Sequence, residues 1–564
     1  MKKRLIQTVT MMCACVILAL KGQSATIIAN QQLTGTINWT RDNTYQLNGA
    51  VFVKSGAVLN IEAGTVIKGN NLGTFGTNVA ALYVCRGAKI MAEGTAQHPI
   101  IFTSITDDVT IPDDLSITQR GLWGGVIVFG RTTINGALNV AGNAASPKYE
   151  VYEGMEDLNL GDEFVFRFGG TDDNDSSGVI RYVSIRHGGA KLSADKEING
   201  LSLGAVGRGT TIDFVEAYAI ADDGFEFFGG TVNTKHLVSA FCDDDGFDTD
   251  MGYRGVNQFW FGIQAPDARN YGMELNNQIN EIATSEKLLP ASGFKVYNAT
   301  LIGAGTSSTL VNGGRNAAII FRPFLGVTIE NSIFTDFNER AIELDTRNTI
   351  SAANVVTNTG HLKNNLWWGF VTGSGSANVN NTITNISRNT IASNYWSVAA
   401  FNNQIANPLL VSISRTNVGA TLDPRPQADS PALSDVALTP IDGFLTTVNY
   451  RGAFAPGQGN WLAGWTALSE YQIVTGKGGI HPIDAPTGAV VPAQPSLAIA
   501  RVGGVVRLTV PTQSNVSYQV QSCNTLGASP VWVNEGSTVA GTGSPVTVDI
   551  AQSSTTKFIR VVTQ

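Results

Sequence analysis

Apolar positions repeat at a fixed offset in the middle of the chain. Phe225 is followed 22 residues later by Phe247, and the surrounding segments Asp222–Glu226 and Asp244–Asp248 have nearly the same sequence. Self-similarity at such a period is typical of a solenoid, in which each turn of chain stacks on its neighbour. The pattern therefore predicts a repeating coil rather than a globular arrangement of helices.

Two further repeats extend this pattern. Near the start of the chain, the β-rich run 51–67 is answered by 82–95. Further along, Ile329 and Ile342 are separated by the same 13 positions as Ile212 and Phe225. Short runs that end at glycine alternate with turns throughout, as β-strands do. We therefore predict an all-β fold in which parallel strands stack coil upon coil.

The two-residue period of a strand assigns faces to the repeated turns. If Phe225 and Phe247 face the core, Glu226 and Asp248 face solvent. Neighbouring coils lie about 4.8 Å apart, so these two carboxylates are expected to be close neighbours. Residues 254–293 look like an insertion that interrupts the stack, with a short helix at 280–289.

The N-terminus predicts the compartment. Three basic residues, Lys2 to Arg4, precede the apolar run 9–20, and small residues follow up to Ala25. This order is that of a secretory signal peptide, here 1–25, and the apolar run is too short to span a bilayer. With 61 glycines and only 15% charged residues, the chain has the composition of a turn-rich extracellular β protein. We expect a secreted or cell-surface monomer without a membrane span.

Charge and the sparse reactive residues exclude several function classes. Removal of residues 1–25 takes away four basic residues and no acid, so the net charge changes from −8 to −8 − 4 = −12. An acidic surface disfavours nucleic acid and attracts cations. The five histidines share no zinc-ligand spacing, and glycine loops for nucleotides are absent. We therefore expect no nucleotide or redox cofactor.

These features resemble the secreted right-handed parallel β-helix proteins of bacteria. The turns at 56–65 and 87–103 carry the resemblance, and the segments 120–125, 181–189 and 450–454 are similar to a group of bacterial surface proteins, some of them labelled multidrug transporters. The resemblance implies a β-helix over 26–480. A linker at 481–496 would then lead to a β-sandwich at 497–564, which resembles small fibronectin-like modules.

The acidic turns are the main candidate for chemistry. Eight acids lie between Asp222 and Asp250, and Lys235 is the only basic residue among them. Such crowding calls for a bound cation, a raised pKa or a cationic partner. The alternative is that Asp-Gly is a turn signal repeated because the fold repeats. Candidate Ca²⁺ ligands are Asp222, Asp223, Asp244, Asp245, Asp248 and Asp250, together with the loop pair Asp173 and Asp175.

Two enzymatic alternatives remain open. A resemblance to polygalacturonases matches Asp223 to their first acidic turn, and Asp244 with Asp245 to the second, which implies a general acid and a water-activating base. The histidine and Arg-Ile-Lys motifs of that family do not follow Asp245. A polysaccharide lyase instead needs a basic residue, for which Lys235 is the candidate.

Aromatic and charged residues near the acidic turns are candidates for sugar binding. Flat rings stack on sugar faces, whereas acids bond to sugar hydroxyls, and the alternative for the aromatic residues is core filling. The candidate set is Glu226, Asp248, Tyr253, Arg254 and Trp260. We therefore expect a protein that binds extracellular polysaccharide or a cell-envelope component with the help of Ca²⁺. A polysaccharide hydrolase or lyase and a non-catalytic adhesive surface protein are the alternatives.

Overall fold

The fold consists of stacked parallel strands. The computed structural model describes residues 25–112, 114–136, 138–139, 148–155, 165–194, 196–267, 270–277, 288–308, 316–322, 325–344, 360–371, 401–416, 421–474, 498–502, 505–510, 517–523, 532–540, 545–551 and 558–563. These residues form two compact units, 1–484 and 485–564. No helix among the described residues is long and apolar enough to cross a membrane.

Two long parallel sheets form the first unit. The larger sheet contains Ala25–Ile28, Thr36–Trp39, Asn43–Asn48, Val58–Ile61, Val66–Asn70, Lys89–Glu93, Ile100–Ser104, Gly178–Arg186, Thr211–Tyr218, Asn233–Ala240, Val256–Gln258, Phe261–Ile263, Lys295–Tyr297, Thr300–Ile302, Val327–Glu330, Ile333–Phe337, Gly360–Lys363, Leu366–Phe370 and Gln404–Ile405. The smaller sheet contains Gln32–Leu33, Ala50–Val53, Ala81–Val84, Val126–Phe129, Leu201–Gly204, Phe225–Phe228, Phe247–Asp250, Met273–Leu275, Ile319–Phe321 and Ile342–Leu344. The chain alternates between the sheets, which makes a parallel β-helix and confirms the predicted fold class.

The strand register confirms the sequence repeats. Phe225 pairs with Phe247, and the same column continues through Met273 and Ile319 to Ile342. On the larger sheet, the column that begins at Ile212 reaches Ile329 in the same way. The side chains of Phe225 and Phe247 are fully buried and stack at 5.5 Å between ring centroids. Inward columns of this kind fill one continuous core along the helix axis.

The predicted insertion at 254–293 is wrong for most of its length. Val256–Gln258, Phe261–Ile263 and Met273–Leu275 all pair with the coils on either side and therefore form a coil of the helix. Polar residues concealed this coil, since Asn257 faces inward and bonds to Thr234 rather than packing as an apolar residue. The predicted helix at 280–289 lies largely outside the described residues, which omit 278–287.

A C-terminal segment of the first unit covers the larger sheet from outside. We call residues 430–474 the strap; it contains the turns Pro431–Leu433 and Ala467–Glu470. Asn331 makes two hydrogen bonds to Ala437, and Gln258 makes two to Thr446, so side-chain amides hold the strap backbone. Tryptophans and other apolar residues of the strap pack on the outer face of the sheet. The predicted β-helix boundary at 480 therefore includes a segment that does not continue the stack.

The outer face of the smaller sheet is covered over only part of its length. Here the chain leaves the helix in an antiparallel excursion, Leu138–Asn139, Lys148–Val151 and Arg167–Gly169, and then forms a hairpin, Lys191–Ser193 and Lys196–Glu197. The aromatic residues Tyr152 and Phe166 of the excursion pack on Phe52 and Tyr83 of the sheet. Beyond this cover the outward positions become acidic.

Smaller elements complete the description. Gly76–Asn78 forms a short 3₁₀ turn, and Leu410–Ser412 pairs antiparallel with Asp423–Pro426. The second unit contains two antiparallel sheets, Ala498–Val502, Val505–Val510 and Val546–Ala551 in one, and Ser517–Cys523, Val533–Asn534, Val539–Ala540 and Phe558–Thr563 in the other. Leu508 and Ile550 from one sheet share a core with Tyr518 and Val520 from the other, as in a β-sandwich. The predicted linker lies outside the described residues.

Candidate acidic cleft

One outward column of the smaller sheet changes from apolar to acidic along the helix. Phe52, Tyr83 and Ile127 occupy successive coils and lie under the excursion. The column continues through Ser202, Glu226, Asp248, Glu274, Ile320 and Glu343. Ser202 shares a hydrogen bond with Tyr152 at the edge of the covered part. Three successive carboxylates therefore begin where the cover ends.

These carboxylates lie in an open cleft of about 340 Å³, which we call the acidic cleft. Ten acids and three other polar residues line it: Glu153, Glu197, Asp222, Asp223, Glu226, Asp244, Asp245, Asp248, Asp250 and Glu274, with Asn270, Asn276 and Arg322. Its described lining contains no apolar side chain. The excursion and the hairpin form its wall, and Glu226 is therefore only 7% exposed. The expectation that Glu226 faces open solvent was wrong for this reason.

The acidic turns also hold consecutive coils together. Asp223 Oδ1 accepts a hydrogen bond from Asp245 N at 2.9 Å, and Asp245 Oδ1 accepts one from Tyr271 N at 2.5 Å. Gly224 follows Asp223 because a Cβ there would lie 2.4 Å from Ser239 Oγ. Asp223 and Asp245, which directly precede the glycine of each turn, thus have a structural role that explains part of the repeat. It leaves the acids at 226, 248 and 274 unexplained.

Two groups of three carboxylates are close enough to share a cation. In Asp222, Asp223 and Asp244, one oxygen from each side chain lies within 4.8 Å of the others, and the same holds for Asp223, Glu226 and Asp248. Opposite oxygens of a Ca²⁺ ion lie about 5 Å apart, since each Ca²⁺–O distance is about 2.3–2.6 Å. Both groups therefore have the spacing of a Ca²⁺ site, and Asp223 belongs to both.

Burial raises the pKa of the carboxyls in this cleft. The pKa values of Asp222, Asp223, Glu226, Asp245 and Asp248 lie well above their ordinary range, first because the groups are desolvated and second because each faces other carboxylates. A bound cation reverses both effects, since it attracts the ionised form. The arrangement thus favours the exchange of protons for a divalent cation.

Several polar atoms of the lining lack a protein partner. Asp248 Oδ1 and Asn276 Oδ1 are buried atoms without a hydrogen bond to any described residue. Asn276 is 95% buried, and its register position lies beside Asp250 on the next coil. Buried polar atoms are nearly always partnered, so these two oxygens are open to an electropositive ligand. Carboxylate and amide oxygens are the ligands that Ca²⁺ prefers.

Three described basic side chains, two of them at the rim, form ion pairs with acids of the cleft. Lys196 Nζ lies 2.7 Å from Glu153 Oε2, Lys191 Nζ lies 2.6 Å from Glu197 Oε1, and Arg322 Nη2 lies 2.5 Å from Glu274 Oε1. The two lysines are about half exposed, so their ion pairs are screened by solvent. These three ion pairs therefore involve three of the ten lining acids.

The structure brings together one part of the predicted site and excludes another. Asp222, Asp223, Glu226, Asp244, Asp245, Asp248 and Asp250 all line the acidic cleft. Tyr253 and Trp260 are fully buried in the helix core, where Trp260 stacks on Phe247 at 4.4 Å, so the prediction that they bind ligand was wrong. An aromatic residue with an inward register position fills the core, whatever its distance from an acidic turn in sequence.

The predicted basic and loop residues lie outside the cleft lining. Lys235 is on the larger sheet, where Nζ lies 2.9 Å from Thr446 Oγ1 of the strap. Arg254 bonds to Asp173, and Arg131 bonds to Asp175 through Nε and Nη2. The two loop carboxylates thus hold arginines and do not lie together in an acidic cluster, contrary to the predicted loop cation site.

Sequence reasoning missed the residues that come from other coils and from the wall. Glu274 lies one coil above Asp248, and Asn270 donates a hydrogen bond to Asp244 Oδ1. Asn199 donates one to Glu226 Oε2 from the turn before the preceding strand. Extending the strand register by one coil would have found Glu274. Glu153 and Glu197 have no sequence signal, because they belong to the excursion and the hairpin.

A known family model matches the part of the chain that forms the β-helix. The family model described as a pectate-lyase-like β-helix domain matches residues 31–407. That range includes every strand of the two long sheets from Gln32–Leu33 to Gln404–Ile405, and with them the whole acidic cleft. No curated protein matches the chain.

Proposed function

Because the chain belongs to the pectate-lyase-like β-helix family, we propose that it is a secreted or cell-surface protein that binds extracellular polysaccharide through Ca²⁺ held in the acidic cleft. The two carboxylate groups that share Asp223 carry this proposal. Their oxygens have the spacing of a Ca²⁺ site. Desolvation and the neighbouring carboxylates raise the pKa values of Asp223 and Glu226, and a divalent cation opposes both effects.

The cation supplies the link to the polysaccharide. Ca²⁺ takes six to eight oxygen ligands, whereas each set of three acidic residues in the cleft offers one ligand oxygen per residue. Coordination positions therefore remain for hydroxyl or carboxylate oxygens of a sugar polymer. Without the cation, ten acids would repel a uronate polymer, and the cleft lining holds only Arg322 as a positive group.

The strap also makes the acidic cleft a better site for a polymer than the outer face of the larger sheet. The strap packs on the outer face of the larger sheet and bonds to two of its coils through Gln258 and Asn331. A polymer that ran along that face would have to displace the strap. The acidic cleft is open on the smaller sheet, so a chain of sugars reaches it without such a change.

Retention on immobilised polysaccharide tests the proposal. Wild-type protein is passed over polygalacturonate and over a neutral glycan, with Ca²⁺ and then with a chelator. We expect retention that requires Ca²⁺, and calorimetric binding of Ca²⁺ in the absence of glycan. Glu226→Gln should weaken both, whereas Glu93→Gln removes the same charge from an exposed position on the larger sheet and should change neither. Failure of Ca²⁺ to bind, or retention unchanged by the chelator, would refute the proposal.

A hydrolase is the second candidate, because Asp223, Asp244 and Asp245 line the same cleft. Two carboxylates on either side of a glycosidic bond are the minimum for hydrolysis. New reducing ends in the same incubations, lost in Asp244→Asn, would favour this reading. Lys235, the candidate base of a lyase, lies on the larger sheet against the strap and does not line the acidic cleft.

A further inference from the structure

A cavity between the strap and the larger sheet has features that the proposed function does not use. Its volume is about 230 Å³, and its described lining consists of Leu115, Ser116, Ile117, Tyr218, Arg415, Thr416, Tyr471 and Ile473. We call it the strap cavity. It combines an aliphatic wall with two phenols and one guanidinium, whereas the acidic cleft has only polar side chains.

Two tyrosines with largely buried side chains line the strap cavity. Tyr218 is 1% exposed and Tyr471 is 4% exposed, and their rings meet edge to face at 5.3 Å. The Tyr471 hydroxyl is a buried atom that makes no hydrogen bond of good geometry to a described residue, although the Arg186 guanidinium lies near it, with its central carbon 5.4 Å from the ring centroid. No described residue bonds to the Tyr218 hydroxyl either. Buried tyrosine hydroxyls usually have a partner, so the Tyr471 hydroxyl at this cavity is open to a ligand.

Arg415 adds a positively charged donor. Its Nε donates to Gln264 O at 3.0 Å, and Nη2 lies 2.6 Å from Asp336 Oδ2 and also bonds to Gly303 O. These bonds fix the guanidinium plane and leave Nη1 without a protein acceptor among the described residues. Burial raises the pKa of Tyr218 and of Tyr471, so both phenols stay protonated and can donate. Three donors thus line one cavity, which selects a ligand rich in acceptor oxygens.

We infer that the strap cavity binds a small molecule that carries one ring and one carboxylate, with the carboxylate oxygens accepting hydrogen bonds from Arg415 Nη1 and from the hydroxyls of Tyr218 and Tyr471. The charged donor favours a carboxylate over a neutral carbonyl. Leu115, Ile117 and Ile473 provide apolar contact for the ring. The cavity is smaller than the roughly 300–1000 Å³ of sites for drug-sized ligands, which limits the ligand to one ring.

Calorimetric titration with benzoate tests this inference on the full chain. We expect benzoate to bind the wild-type protein and benzamide, which has the same shape without the charge, to bind about tenfold more weakly. Tyr471→Phe and Tyr218→Phe should each weaken benzoate binding about five- to tenfold. Tyr218→Phe should leave the melting temperature unchanged, because it removes a hydroxyl that bonds to no described residue.

Tyr253→Phe is the matched control. That hydroxyl bonds to Val232 O and Asn257 Oδ1 in the helix core, so its loss should lower the melting temperature and leave benzoate binding unchanged. Absence of benzoate binding in the millimolar range would overturn the inference, as would equal binding of benzamide. Benzoate binding that both phenylalanine variants retain in full would place the ligand elsewhere and overturn it too.

Discussion

Glu226 and Asp248 occupy the same outward-facing position on consecutive strands and are register partners in a parallel pair. Their backbones are therefore one strand spacing apart, about 4.8 Å, and the two carboxylates lie close together on the same face of the sheet. Glu274 continues the column on the next coil. Like charges opposite one another destabilise a sheet, so this column carries a cost in stability that the proposed cation would offset.

Replacing one acid of the column should have opposite effects with and without Ca²⁺. In a chelator, Asp248→Asn removes repulsion from Glu226 and Glu274, and the free energy of unfolding should rise by about 1 kcal/mol. With Ca²⁺ the variant loses a ligand and should gain less stability than wild type. Urea unfolding in both buffers measures the difference. Asp42→Asn removes an exposed charge far from the column in sequence and should respond to Ca²⁺ as wild type does.

Removal of Ca²⁺ should itself destabilise the first unit. A ligand present at about 100 times its dissociation constant raises the free energy of unfolding by about 2.7 kcal/mol if it binds only the folded state. We therefore expect the melting temperature of the wild-type protein to rise with Ca²⁺ concentration at neutral pH and to fall again on chelation. A melting temperature that is the same in both buffers would contradict a folded-state Ca²⁺ site.

Core stacking should be independent of the cation. Phe247→Ala removes a fully buried ring that stacks on both Phe225 and Trp260, and should lower the free energy of unfolding by about 3–5 kcal/mol. Phe75→Ala removes a ring that is half exposed and should cost far less. The loss in Phe247→Ala should be equal with and without Ca²⁺, which denaturant titration measures. A strong dependence on Ca²⁺ would mean that the core and the cleft are coupled.

A buried carboxylate attaches the strap to the larger sheet. Glu216 Oε2 accepts hydrogen bonds from Ser184 Oγ and from Ala467 N of the strap at 2.5 and 2.6 Å, and Glu216 lies near Arg186. Glu216→Ala leaves these donors buried without an acceptor and should cost about 3–5 kcal/mol. It should also speed proteolytic cleavage within the strap. Glu330→Ala, on the same sheet with Lys363 4.0 Å away, should cost about 1 kcal/mol or less and leave cleavage unchanged.

His187 should make the fold sensitive to acid. Burial, together with the charges of Arg186 and Arg120, lowers its pKa to about 4, although the hydrogen bond to Gln119 O and the charge of Asp114 oppose the shift. Between the ordinary pKa near 6.5 and the folded value, the unfolded state binds the extra proton, so stability falls as pH falls. The loss is up to about 3 kcal/mol. His187→Asn, which tolerates the left-handed backbone with φ of 58°, should reduce this slope between pH 6.5 and 4.5. An equal slope in both proteins would contradict the assignment.

Local pattern was enough to find the coils but not the wall of the cleft. The 22-residue offset placed Phe225 on Phe247 and Glu226 on Asp248 because strand pairing preserves sequence register. It failed at 254–277, where a coil carries Asn257 inward and therefore lacks the expected apolar signal. Trp260 was predicted to bind sugar because it follows the acidic turns in sequence, although its side chain lies in the core.

The sequence by itself determined the β-helix and the stacking of acids, since both depend on repeats that neighbouring coils bring into register. Only the tertiary structure decided which side chains close the acidic cleft, because Glu153 and Glu197 come from segments that share no period with the acidic turns. It also decided that the strap covers the larger sheet, through single contacts such as Gln258 with Thr446 that join residues 188 positions apart. Packing between segments so distant in the chain leaves no periodic trace in the sequence.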